Sequence, residues 1–131
     1  MTPDELADRF EAAAKRIGPA VARGIDHTAT LGIARIRGNA SGRPGPNAPT
    51  GDYRSSWKPR PSRARRLPYG AMCTLATDAP QGRRLEFGFV GADSLGRVYD
   101  QKPFPHVEPA IGFIGTTLMA SMRVAVAEVL A

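Results

Sequence analysis

Residues 42–57, GRPGPNAPTGDYRSSW, divide this chain into two regimes. Three prolines and three glycines in sixteen positions suit neither a helix interior nor a central strand. Proline removes a backbone donor, and glycine adds freedom that folding must then remove. Before the stretch, apolar residues recur at steps of three and four; after it they alternate and turn signals take over. The chain must therefore join a long helix to a small sheet through a stiff, irregular arm.

The helical part opens on Thr2-Pro3-Asp4-Glu5. Thr2 can cap, Pro3 suits the first helical position, and Glu5 can close a capping box. Leu6, Phe10, Ala14, Ile17, Val21, Ile25, Ala29, Ile33 and Ile36 then form one apolar stripe. Gly18-Pro19 interrupts it, so a kink or two abutting helices are expected there. A helix over residues 1–37 is long for a chain of 131 residues, so part of its stripe is expected to pack outside its own domain.

Residues 38–52 form the proline–glycine arm. Tyr53, Ser55 and Trp57 alternate with Arg54, Ser56 and Lys58, which reads as a strand with both aromatics inward. Pro59 and Pro61 end it, and residues 58–67 read as a basic loop. Residues 69–77 read as a second strand, with Cys73 and Leu75 on one face. Leu85, Phe87 and Phe89 mark a third strand, after a hairpin loop at residues 78–82. Residues 91–106 show no period and read as a long loop. A C-terminal helix over residues 107–131 follows, with Pro109 in its first turn and a stripe of Val107, Ile111, Ile114, Leu118, Met122, Ala125 and Val129. Phe113, Met119, Val126 and Leu130 widen its apolar surface, so cover on two sides is expected. The expected class is α+β in one domain: a long N-terminal helix, an antiparallel sheet of three to four strands over residues 53–90, and a C-terminal helix.

Charge is concentrated. The net +6 of the chain sits in residues 54–66, where Arg54, Lys58, Arg60, Arg63, Arg65 and Arg66 meet no acid. Flanked by Tyr53, Trp57 and Tyr69, these six cations are candidate contacts for duplex DNA or for an acidic partner. The plainer reading is a solvated basic loop. Cys73 is the single cysteine, so no internal disulfide forms. The first residues are acidic and lack an apolar run, and no stretch reaches about 18 consecutive apolar residues, so neither a signal peptide nor a membrane span is expected.

Signals for catalysis are weak. His27 and His106 stand near no serine or cysteine in a nucleophile setting. His106 and Glu108 lack further ligands at zinc spacing. Gly42, Gly45 and Gly51 are not followed by the Lys-Ser/Thr of a phosphate loop. Cys73 reads as a small buried hydrophobe, and Glu86, beside Arg83 and Arg84, as a structurally paired carboxylate. No enzyme activity, metal or cofactor is expected.

Three pieces together carry a resemblance. They are Gly42-Arg43-Pro44-Gly45-Pro46 leading into Thr50-Gly51-Asp52-Tyr53-Arg54-Ser55-Ser56; Arg84-Leu85-Glu86-Phe87-Gly88; and Pro103-Phe104-Pro105-His106 with Pro109-Ala110. In order and spacing the chain resembles siphophage neck proteins that complete the tail or join head to tail, especially those of actinobacterial phages. The resemblance implies a structural virion protein without catalysis, made in the host cytoplasm. It implies a homo-oligomeric ring, commonly a hexamer, between the head-closure (stopper) ring and the tail terminator or tail tube, with DNA passing through the channel. It marks Thr50, Gly51, Tyr53, Ser55, Glu86, Phe87, Gly88, Pro103, Phe104 and Pro109 as structural motif residues. Arg43, Pro44, Pro46, Asn47 and Pro49 become candidates for an arm reaching a neighbouring subunit. Alternative expectations are a free-standing basic nucleic-acid-binding module and, behind it, a tail terminator or minor capsid protein.

Overall fold

A computed structural model describes all residues, 1–131. Its elements are α1 (Pro3–Asn39), α2 (Asp52–Ser56), β1 (Lys58–Leu67), β2 (Gly70–Ala76), α3 (Gly82–Phe87), β3 (Phe89–Ala92), β4 (Val98–Gln101) and α4 (Glu108–Leu130). The class is α+β as expected, with the four strands in two separate pairs, β1–β2 and β3–β4. Two compact units can be distinguished. One holds Met1–Leu31, Pro59–Thr74 and Ile114–Ala131, the other Gly32–Lys58 and Leu75–Phe113.

In the first unit α1 starts on the capping box read from the sequence. The Thr2 N–H donates to Glu5 Oε2 at 2.7 Å, and the Glu5 N–H donates to Thr2 Oγ1 at 3.1 Å. Pro19 lies inside one unbroken helix, so the chain does not split there. The buried line of α1 differs from the expected stripe in its first half. Ala13 and Ala20 are buried with Ala125 and Val129, and Ile17 packs beside them, whereas Ala14, Leu6 and Phe10 are exposed. Small residues win the seam because they let two helix backbones approach closely. At Gly24 a Cβ would stand 2.7 Å from Met122 Cε. Thr28 Oγ1 donates to the Gly24 carbonyl at 2.8 Å and lies 3.2 Å from Ser121 Oγ.

The expected basic loop is a strand instead. β1 carries Pro59 and Pro61 within it, which a two-stranded pair tolerates because each strand keeps a free edge. Asp26 of α1 holds the strand, its Oδ1 accepting the Ala64 N–H at 2.5 Å. β2 matches its expected alternation, with Cys73 and Leu75 half-buried and Met72 and Thr74 exposed. Cys73 is thus not the fully buried hydrophobe expected of it; its thiol donates toward the Pro61 carbonyl at 3.5 Å.

In the second unit three further readings change. Tyr53 lies in the helical turn α2, not in a strand, yet Tyr53 and Trp57 are both buried as expected. Positions four apart share a helix face as well as a strand face, so the aromatic spacing could not separate the two. Residues 82–87 are helix α3 rather than a strand, closed by Gly88 at φ 76° with its N–H on the Arg84 carbonyl at 2.8 Å. A side chain at Gly88 would also meet the Gln101 carbonyl oxygen. Finally, residues 91–106 are not structureless. β3 and β4 pair antiparallel in the register Phe89↔Gln101 to Ala92↔Val98. Asp93 pins the turn, its Oδ1 accepting the Leu95 and Arg97 N–H groups at 2.9 Å each.

The arm folds against its own unit. Pro46 and Gly45 are buried, while Arg43, Pro44, Asn47 and Pro49 are exposed. A Cβ at Gly45 would overlap the Asn39 carbonyl oxygen, a backbone atom that cannot swing away. Gly45→Ala is therefore expected to cost about 2–3 kcal/mol. Urea unfolding at neutral pH checks this, and a loss below about 0.5 kcal/mol would mean the arm is not held there.

Candidate functional site

The three motif pieces converge on one buried centre in the second unit. His106 is fully buried and has edge contacts with Tyr53 and Trp57, at centroid distances of 5.4 and 5.8 Å. Its Nδ1 lies 2.9 Å from the Phe104 carbonyl and 2.9 Å from Glu86 Oε2. Both are acceptors, so Nδ1 carries the proton. In the neutral ring Nε2 then accepts, and the Tyr53 hydroxyl donates to it at 2.6 Å. Burial pushes the Tyr53 phenol above its usual range, which keeps it a donor.

Glu86 reaches from α3 to the start of α4. Oε2 accepts the His106 and Val107 N–H groups at 2.8 and 3.0 Å, and Oε1 accepts the Glu108 N–H at 2.9 Å. These are backbone donors that a helix start leaves without partners, and the carboxylate also meets the positive end of the helix dipole. Burial alone would raise its pKa. The hydrogen bonds from His106, Glu108 and Val107, with the His106 ring beside them, outweigh burial and hold the carboxyl below its ordinary value. Glu86 is the structurally paired carboxylate expected, but its partners are these amides and not Arg83 or Arg84. Asn39 was not singled out from the sequence; its Nδ2 donates to the His106 carbonyl at 3.0 Å.

Only some of the remaining motif residues are tied in near this centre. The Phe104 N–H donates to the Leu85 carbonyl at 2.7 Å, and the Arg43 guanidinium sits 3.8 Å over the Phe104 ring. Thr50 Oγ1 accepts the Asp52 N–H at 3.3 Å, and Gly51 adopts φ 79° at the start of α2. Ser55, Phe87, Pro103 and Pro109 stay exposed. Phe87 and Ile111 border an apolar cavity of about 500 Å³ floored by Trp57, Thr77, Gly82 and Val107. Both ring nitrogens of His106 and both carboxylate oxygens of Glu86 have hydrogen-bond partners within the chain, and Glu86 also lines this cavity. Burial raises the Cys73 thiol and so lowers its thiolate content. No group of three or more His, Cys, Asp and Glu side chains gathers into a metal-binding cluster.

Arg54 and Lys58 belong to the second unit, and Arg60, Arg63, Arg65 and Arg66 to the first. Arg54 Nη1 donates to Ser41 Oγ at 3.2 Å, and Arg66 rests beside Gly18. Lys58, Arg60, Arg63 and Arg65 are exposed on β1. Arg63 and Arg65 stand two apart, so they leave from one strand face.

α4 is the other surface without cover. Val124, Ile111, Met119 and Val126 are 65, 59, 56 and 47% exposed. By length and composition alone the helix could cross a membrane, a feature the sequence reading did not assign. It has no basic residue in its last turn, and α1 supplies that charge. Arg9 Nη2 donates to the Leu130 carbonyl at 2.7 Å, and Arg16 Nη2 to the Val129 carbonyl at 2.8 Å. Arg23 pairs with Glu128 at 2.7 Å. Comparison with protein-family models, curated proteins and solved structures finds no match.

Proposed function

We propose that this chain is a structural component of a tailed-phage neck, acting by assembly into a ring that completes the tail or joins it to the head-closure ring. The observation that carries the reading is α4, an apolar helix covered on one side and bare on the other. A helix of this kind gains stability when copies of the chain pack together. The convergence of the three resembling segments on Tyr53, Glu86, Phe104 and His106 supports the same reading, because it gives each a structural task. A membrane-spanning role for α4 is less favourable, since insertion would pull Arg9 and Arg16 along with its last carbonyls. Electron microscopy of the protein with the head-closure and tail-terminator proteins of the same virion is the test. A ring bound to either is expected, and failure to bind both overturns the proposal.

Exposed Arg63 and Arg65 favour a second reading, a free duplex-binding module. Under it, gel shifts titrated with salt give a steep decline in affinity. Changing both arginines to alanine then flattens the log–log slope by about 1.8. The assembly reading expects the isolated chain to show little duplex affinity even at low salt.

A further inference from the structure

β1 and β2 form a two-stranded ribbon closed by the two-residue turn Pro68-Tyr69. From residue 54 to residue 77 the chain holds six cations and no acid. The two sides of β1 meet different surroundings. Ala64 is half-buried and gives its N–H to Asp26 of α1, and Arg66 rests beside Gly18 of the same helix. Alternation turns Arg63 and Arg65 to the other side, where both are exposed. Two strand residues set them about 7 Å apart, a step that lets them meet neighbouring phosphates of one nucleic-acid strand.

The turn supplies a second, independent observation. Tyr69 is 103% exposed, the most open of the large apolar side chains, and Leu67 before the turn is 37% exposed. A ring held out at a hairpin tip adds nothing to the core, and its faces are free to stack.

We infer that the β1–β2 ribbon is an arm for single-stranded nucleic acid. Arg63 and Arg65 take neighbouring phosphates, and the Tyr69 ring stacks on a base. This does not rest on the ring reading; it keeps the cations of the duplex reading and changes the ligand. Stacking needs an open base face. A duplex must first unstack a step to offer one, a cost that a single strand does not carry. An acidic protein surface would pair with the arginines and leave Tyr69 unused. Asp26, the acid that touches β1, is bonded to the Ala64 N–H and so does not neutralise the outer side.

Fluorescence anisotropy of the full chain with a labelled oligothymidylate of roughly 16 nucleotides at low salt tests this. Binding is expected, and tighter than to a duplex of the same length. Changing Arg63 and Arg65 together to alanine should flatten the log–log salt slope by about 1.4, the share of two single-strand phosphates. Tyr69→Ala should weaken binding by between about fivefold and about a hundredfold, and Tyr69→Phe should restore it because the ring alone stacks. The circular dichroism spectrum should not change in any of these variants, since all three side chains are exposed. In Tyr69→Trp the new indole emission should be quenched by the oligonucleotide against a constant signal from buried Trp57. Equal or tighter duplex binding returns the arginines to the duplex reading and overturns this one. Polyglutamate that displaces the label as well as unlabelled oligothymidylate assigns the ribbon to acidic protein and overturns it too. No binding at low salt, or binding that Tyr69→Ala leaves unchanged, also overturns it. None of these outcomes bears on the neck reading, which stands or falls on ring formation.

Discussion

His106→Ala is expected to lower the stability of this protein by about 3–5 kcal/mol. The ring is fully buried, and its removal leaves a cavity between Tyr53 and Trp57 that their rigid rings cannot fill. It also orphans the Tyr53 hydroxyl, which donates to Nε2 at 2.6 Å, at a cost of about 1–3 kcal/mol within that total. Against a typical stability of about 5–15 kcal/mol, such a loss brings the chain close to unfolding at physiological temperature. The melting temperature should fall by roughly 10–20 °C. Adding Tyr53→Phe removes the orphaned hydroxyl, so the double variant should recover about 1 kcal/mol relative to His106→Ala alone. Urea unfolding of the two single variants and the double variant measures this directly. A loss under about 1 kcal/mol for His106→Ala, or additivity with Tyr53→Phe, would show that the centre is not built as described.

Glu86→Ala is expected to cost about 2–3 kcal/mol, more than an ordinary helix cap, because one carboxylate serves three backbone donors. Glu86→Gln should cost less, since the amide oxygen can still accept while the charge on the helix dipole is gone. The pH dependence has a definite sign. The folded pKa of Glu86 lies below the unfolded value of about 4.3, so the unfolded chain binds the proton first as pH falls. The contribution is complete above the unfolded pKa and disappears as pH drops through the folded one. Between about pH 5 and pH 3 the wild type should therefore lose more stability than Glu86→Gln. Denaturation midpoints across that range decide the matter, and parallel acid limbs for the two proteins would exclude Glu86 as the cap.

The same physical cause links what was legible in the sequence to what was not. The capping box at Thr2 and Glu5 is a contact between positions three apart, and it forms as read. Likewise the alternation in β2 and the burial of Tyr53 and Trp57 follow from local spacing. Residues 82–87 carried a strand-like alternation, yet they are helical because Glu86 is drawn to the amides of residues 106–108. The prolines of β1 argued against a strand, and Asp26 on α1 overrode them by binding the Ala64 N–H. In α1 the large apolar residues marked a plausible stripe, but the buried seam runs through Ala13 and Ala20, where small side chains permit contact with α4.

Local chemistry, then, determined the two long helices, the arm between helix and strands, the concentration of charge at residues 54–66 and the α+β class. Each rests on interactions within a few positions along the chain. Tertiary structure alone decided that α4 is capped at both ends by distant residues, with Glu86 at its first amides and Arg9 and Arg16 at its last carbonyls. It also decided that the arm folds back to bury Pro46, and that the outer face of α4 stays bare. Those outcomes depend on partners more than fifty residues away as well as near ones, and no period or motif in the sequence encodes such a meeting.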